Sequence, residues 1–199
     1  MSPPFVGLTG GIAAGKSEAL AAFGRLGAAT LSTDAVVHDL LEDPSVRDQL
    51  LERWGGEAVP GGTVDRGRVG AIVFDSTEEL AWLESLLHPL VGGRVVEWRS
   101  GLAPEVELAV VEVPLLFETS MEDAFDATVA VTAADETRAR RAGLRGTELL
   151  ESRSDRQLPQ EEKAARATYV LVNDDSLETL EREVAALMER LTQPTPSSL

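Results

Sequence analysis

The stretch Gly10-Gly11-Ile12-Ala13-Ala14-Gly15-Lys16-Ser17 constrains the fold of this chain more than any other feature. It fits the pattern G-x-x-x-x-G-K-[ST], which only makes sense as a loop between a strand and a helix. A loop that wraps a phosphate must bring several backbone N–H groups to close range, and glycines permit the dihedrals this needs. The context agrees. Phe5-Val6-Gly7-Leu8-Thr9 is short and apolar, as a buried strand is, and a helix is expected from Lys16 to about Leu26, ended by Gly27. That helix turns its positive end toward an anion. In such a loop the lysine reaches the β- and γ-phosphates and the Ser17 hydroxyl goes to Mg²⁺. A nucleotide and Mg²⁺ are therefore the expected ligands.

Further strands are expected at 28–31, 107–113, 127–132 and 169–172, with helices between them. The helices are read at 34–42, 45–54, 68–74, 77–87, 89–99, 135–145, 148–156 and 160–167, and a last one carries Leu177, Leu180, Val184, Leu187 and Leu191. Strands that alternate with helices imply parallel pairing through crossovers. The expected fold is α/β: a three-layer α/β/α P-loop architecture on a parallel five-stranded sheet, within a single domain. Its core would comprise residues 4–54, 105–134 and 168–191. A helical insertion (about 62–101) would bind substrate, a lid would span about 135–167, and 192–199 would be a frayed tail. Ligands in such sheets bind at the carboxyl ends of the strands.

Charge narrows the partners. The formal net charge is -16, and an acidic chain repels nucleic-acid phosphates, so a nucleic-acid binder is not expected. There are only two lysines, Lys16 and Lys163, yet seven arginines fall between Arg138 and Arg166. Such a local basic segment suits a small anionic ligand, although the same residues could form a solvated helix face paired with Glu148, Glu151, Glu161 and Glu162. No apolar run reaches membrane-spanning length, Met1-Ser2-Pro3-Pro4 lacks the features of a signal peptide, and there is no cysteine. A soluble cytoplasmic protein that takes a small-molecule substrate is expected.

A GTPase would carry N-K-x-D after a strand, whereas the corresponding place here reads Val172-Asn173-Asp174-Asp175. A kinase needs a second-substrate site and a lid, and the helical middle section and the arginine stretch could supply them. At this point several motifs in order resemble dephospho-coenzyme A kinases: Phe5 to Ser17, Leu31-Ser32-Thr33-Asp34, Asp65-Arg66 with Phe74, Leu87-His88-Pro89-Leu90-Val91 and Val113-Pro114-Leu115-Leu116-Phe117-Glu118. Arg141, Arg145, Arg153, Gln157, Lys163 and Asn173 fall where that family places its lid and adenine-side residues. The similarity runs from about residue 5 to 191.

The resemblance implies ATP-dependent phosphorylation of the ribose 3′-hydroxyl of dephospho-coenzyme A. It implies catalytic roles for Asp34, Lys16, Arg141 and Arg145. It implies ATP contacts from Gly10, Gly11, Ile12, Ala13, Ala14, Gly15, Lys16, Ser17, Glu18 and Asn173. Substrate contacts would come from Thr9, Asp34, Arg66, His88, Pro89 and Leu115, and metal contacts from Ser17 and Asp34. Asp34 could equally be only a helix N-cap. Glu112 either supports a metal's ligands or is simply exposed. The chain departs from the family pattern at Ser32, usually an aspartate, at Ala13-Ala14, usually Gly-Ser, at Glu18, usually Thr, and at Arg138, often Gln. The alanines are expected to be mild, because that part of the loop acts through its backbone. Two alternatives share the motifs: another small-molecule or nucleoside kinase, and a nucleotide-binding regulator without transfer activity.

Overall fold

A computed structural model describes residues 2–143 and 157–193. The chain forms two compact units, one of residues 1–32 and 102–199, the other Thr33–Gly101. Residues 33–54, expected in the core, thus belong by packing to the second unit.

The first unit is built on five parallel strands in the order β2-β3-β1-β4-β5. They are β1 (Phe5–Gly10), β2 (Ala29–Ser32), β3 (Ala109–Glu112), β4 (Ala127–Thr132) and β5 (Tyr169–Val172). In register, Leu8 of β1 faces Glu112 of β3 and Val129 of β4, and Ser32 of β2 faces Glu112. The expected third strand is shorter than the run 107–113, because only 109–112 pair on both sides.

Alternation along β1 decides what covers each face of the sheet. Val6 and Leu8 point into a core completed by α1 (Lys16–Arg25) and α8 (Leu177–Thr192), with Ala19, Ala22, Phe23, Leu180, Val184 and Leu187 buried there. Phe5 and Gly7 turn the other way. Phe5 stacks on Phe125 with ring centroids 4.7 Å apart. A Cβ on Gly7 would stand 2.5 Å from Leu116 Cδ1. α7 (Gln160–Arg166) packs on β1 and β4, and α6 (Asp135–Gly143) follows β4. The three-layer α/β/α arrangement and parallel five-stranded sheet expected from the sequence are present.

Gly10 closes β1 at φ 151°, and a Cβ there would lie 2.2 Å from the Val131 carbonyl oxygen of β4. Only glycine lets the two strand ends come this close.

The second unit contains α2 (Thr33–Glu42), α3 (Pro44–Trp54), α4 (Arg66–Asp75) and α5 (Thr77–Ser100). Its caps are local and explicit. Asp43 Oδ1 accepts from Ser45 N at 2.9 Å, Asp65 Oδ1 from Gly67 N at 3.0 Å, and Ser76 Oγ from Glu79 N at 3.3 Å. α3 is tied to α5 where Arg53 donates to both Glu79 oxygens (2.9 and 3.0 Å) and Trp54 Nε1 donates to Glu79 Oε2 (2.7 Å). The Arg53 guanidinium first, and then the Trp54 indole, hold the Glu79 carboxyl below its ordinary range.

One expectation is corrected here. The helices read at 77–87 and 89–99 are a single 24-residue helix, with Pro89 inside it. Proline in a helix interior costs roughly 3 kcal/mol. The helix runs on because α5 packs against both α2 and α4, and tertiary packing outweighs the local penalty.

Gly10→Ala forces the β1 and β4 ends apart, which by the usual cost of overpacking and a strained dihedral amounts to about 3 kcal/mol or more. Urea denaturation of the variant should show a clear loss of stability, and a change below about 0.5 kcal/mol would contradict this account of the close approach.

Candidate active site

The phosphate loop connects the carboxyl end of the central β1 to the N-terminus of α1. Gly15, at φ 96°, is the N-cap residue, and no side chain caps the helix. The positive helix end is left for an anion. Lys16 Nζ folds back over the loop and donates to the carbonyls of Gly10 (3.2 Å) and Gly11 (3.0 Å). It is positioned at the loop rather than stretched into solvent. Ser17 and Glu18 are exposed on the first turn of α1, while Gly11 and Ala14 are buried.

Ala13 has φ 58°. An L-residue in the left-handed region carries about 1–2 kcal/mol of strain. The alanine that replaces the commoner glycine is therefore not mild in conformational terms, because the backbone itself asks for glycine at that position.

The loop is clamped from the β5 side. Asn173 is buried, and its Nδ2 donates to the Ala14 carbonyl at 2.9 Å. Arg141 Nη1 donates to the Asn173 carbonyl at 2.9 Å and to the Ala14 carbonyl at 3.3 Å, and its Nη2 reaches Asn173 Oδ1 at 3.4 Å. The clamp explains Gly15, because a Cβ there would lie 2.1 Å from Asn173 Nδ2. Beside it opens a cavity of about 320 Å³ lined by Gly15, Glu18, Arg141, Asn173, Asp175, Leu177 and Leu180. Its two leucines, its polar side chains and its place next to the loop suit the base and sugar of a nucleotide.

On the other flank, Gln160 bridges the end of β4, accepting from Ala133 N at 3.2 Å and donating to Ala133 O at 2.9 Å. Asp174 Oδ1 accepts from Ala134 N at 2.6 Å. Arg138 pairs with Asp135 at 2.7 Å and lies against Gly11, where a Cβ would meet its Nη1 at 3.1 Å. The sequence reading gave no site role to Gln160, Asp174 or Asp175. The place of Asp174 and Asp175 just after β5, at the carboxyl edge, is the signal that could have found them.

The remaining expected residues lie as follows. Thr9 is fully buried, and its hydroxyl donates to the Pro114 carbonyl at 3.3 Å. Leu115 is half-buried in the turn after β3. Glu112 is 5% exposed at the end of β3, which removes the reading that left it simply exposed. In the second unit, Asp34 is exposed on the first turn of α2, two residues beyond β2. Arg66 is the exposed first residue of α4, and His88 and Pro89 are exposed midway along α5. Arg145, Arg153, the helix expected at 148–156 and residues 194–199 of the tail lie outside the described residues.

Among the described residues no three His, Cys, Asp or Glu side chains cluster into a metal site. Mg²⁺ does not require one, since it keeps several waters and takes one or two protein oxygens besides phosphate. The hydroxyl of Ser17 and the carboxylate of Glu112 are hard oxygen donors of that kind, so the first unit's residues fit the ion.

A parallel sheet with a phosphate loop at its central strand defines a P-loop nucleotide-binding protein. A dephospho-CoA kinase family model matches residues 4–179. The chain is 39% identical to a dephospho-CoA kinase of Thermus thermophilus over 194 residues, covering 96% of this chain and 93% of that one. It is 38% identical to the dephospho-CoA kinase of Deinococcus radiodurans over 193 residues, covering 95% and 93%. The crystal structure of TT1252 from Thermus thermophilus superposes with a TM-score of 0.82 at 38% identity, covering 97% of this chain and 100% of that one. The chain belongs to the dephospho-CoA kinase family.

Asn173→Ala deletes the buried amide that holds Ala14, and loss of such a bond costs roughly 1–2 kcal/mol. A lower Tm together with an ATP KM raised severalfold is expected. An unchanged KM would separate the clamp from nucleotide binding.

Proposed function

We propose that this protein transfers the γ-phosphoryl group of ATP to the ribose 3′-hydroxyl of dephospho-coenzyme A, giving coenzyme A and ADP. The observation that carries this is the phosphate loop held by Asn173 and Arg141 beside a nucleoside-sized cavity, in a chain of this family.

Phosphoryl transfer asks a protein for alignment and charge neutralisation more than for covalent chemistry. The loop N–H groups and the α1 N-terminus bind the phosphates. On nucleotide binding Lys16 leaves the Gly10 and Gly11 carbonyls for the β- and γ-phosphates. Its ammonium already lies at the loop, 3.0 Å from Gly11 O. Asn173 and Arg141 orient the loop and the nucleoside, and Arg145 adds charge to the phosphates. When bound, Mg²⁺ would supply positive charge to the transferring phosphates, and Ser17 and Asp34 are the residues that would hold it, with Glu112 supporting its ligands.

Asp34 takes the acceptor proton. An exposed carboxylate on the first turn of α2, two residues beyond a strand's carboxyl end, suits that task. His88, Pro89, Arg66 and Leu115 belong to the acceptor side in this reading.

Release of ADP with dephospho-coenzyme A as acceptor tests the proposal directly, and turnover confined to a different acceptor would refute it. Lys16→Ala should lower kcat at least a hundredfold without loss of fold, since the hydrogen bonds to the Gly10 and Gly11 carbonyls are local to the loop. α2 begins at Thr33, so Asp34 lies within the helix rather than at its N-cap. Asp34→Asn keeps the side chain's size there but cannot accept a proton, and general-base assistance is typically worth about 10² to 10⁴ in rate. A variant of near-normal Tm whose kcat falls at least a hundredfold is expected. Retention of more than about a tenth of wild-type kcat would reduce Asp34 to a structural residue.

A further inference from the structure

Lys163 is the chain's second lysine, and its side chain is wholly buried. Its ammonium donates to the Pro114 carbonyl at 2.7 Å and pairs with Glu118 Oε1 at 2.8 Å. The same Glu118 oxygen accepts from Leu158 N at 2.8 Å, while Glu118 Oε2 is buried with no partner among the described residues. The Pro114 carbonyl also accepts from Thr9 Oγ1. The ammonium therefore ties α7 to the turn after β3, and the shared Pro114 carbonyl links that turn to Thr9, the residue that immediately precedes the phosphate loop.

As an adhesive this arrangement is poor. Removing both charges from water can cost more than their contacts return, and apolar residues of similar volume often hold a core as well. An unsatisfied carboxylate oxygen adds to the cost. What the pair supplies instead is direction. Pro114 cannot donate a backbone hydrogen bond, so its carbonyl is the one backbone polar group it can use to fix the turn. That carbonyl is held by two donors from different elements. Thr9 is one of them, and the chain reaches Gly10 in the next residue, where the approach to Val131 leaves no slack.

We infer that the buried Lys163–Glu118 pair is a positioning device for phosphoryl transfer: it sets the Pro114 carbonyl and, through Thr9, the point from which the phosphate loop leaves β1. The inference rests on the transfer reaction proposed above. Neither side chain is a catalytic residue, since both act through Pro114, Thr9 and the loop. A displacement of about 1 Å at a reacting group can cost about a hundredfold in rate, so a small shift at this base is enough to be measured.

The experiment uses the full-length protein and begins with wild-type turnover of dephospho-coenzyme A, which tests the proposed function by itself. The pair is then judged by ratios to wild type, with whichever acceptor the wild type uses. Glu118→Gln keeps the shape and the oxygen that Leu158 N needs but removes the charge that orients Lys163. It should lower kcat at least tenfold at a temperature well below its Tm, with the ATP KM changed less than threefold. Lys163→Met alone strands a buried carboxylate and should lower Tm markedly. The double variant Lys163→Met/Glu118→Gln removes both charges and should regain most of that Tm while kcat stays at least tenfold down. A stability role alone predicts that kcat returns with Tm. Recovery of kcat to within twofold of wild type in the double variant, or in Glu118→Gln if the double variant does not fold, would overturn the inference.

Discussion

Where β1 ends, its backbone lies so near that of β4 that no side chain fits between them. The Gly10–Val131 approach fixes the direction in which the chain leaves the sheet. The features that follow use that direction. The loop closes over itself, α1 begins at a left-handed Gly15, and Asn173 at the end of β5 meets the Ala14 carbonyl. Because β1 has β3 on one side and β4 on the other, the loop sits where residues from three strand ends converge: Glu112 from β3, Ala133 and Ala134 after β4, Asn173 and Asp174 after β5. Backbone geometry at one glycine thus helps set where the loop lies among these strand ends.

The loop is also a compromise between order and strain. Ala13 is held at φ 58°, outside the region an alanine prefers, by a frame of bonds to Ala14 from Asn173 and Arg141. Strained residues persist where the surroundings over-determine them. Their cost is met in advance, so that phosphate oxygens meet donors already in place rather than a loop that must still be ordered.

The sheet was legible because each strand left a mark of its own. β1 and β4 are apolar runs, and the phosphate loop fixed the polarity and centrality of β1. Within the candidate site, the loop could be read from its spacing alone, and Asn173 lies against it at the end of β5. Two kinds of feature were hidden. Pro89 reads locally as a break, but α2 and α4 pack against α5 and override it, so only tertiary context reveals one helix. The family resemblance makes Thr9 a substrate contact, and its burial and its bond to Pro114 leave no mark in the sequence. The ladder of bonds from Lys163 to the loop was invisible for a related reason. It joins three stretches, residue 9, residues 114–118 and residues 158–163, which are far from one another in sequence, so nothing short of the folded sheet puts them together.

The scarcity of lysine has a consequence for the protein's reactivity. The chain carries its surface cations as arginine, which does not act as a nucleophile at ordinary pH. Of its two ε-amines, that of Lys163 is sealed from solvent, and that of Lys16 belongs to a half-buried residue at the phosphate loop. Apart from the amino terminus, then, the amine open to acylating or aldehyde reagents is the one on the phosphate loop. A reagent that elsewhere labels a protein indiscriminately would here act almost as a site-directed probe, and bound ATP would be its natural protectant.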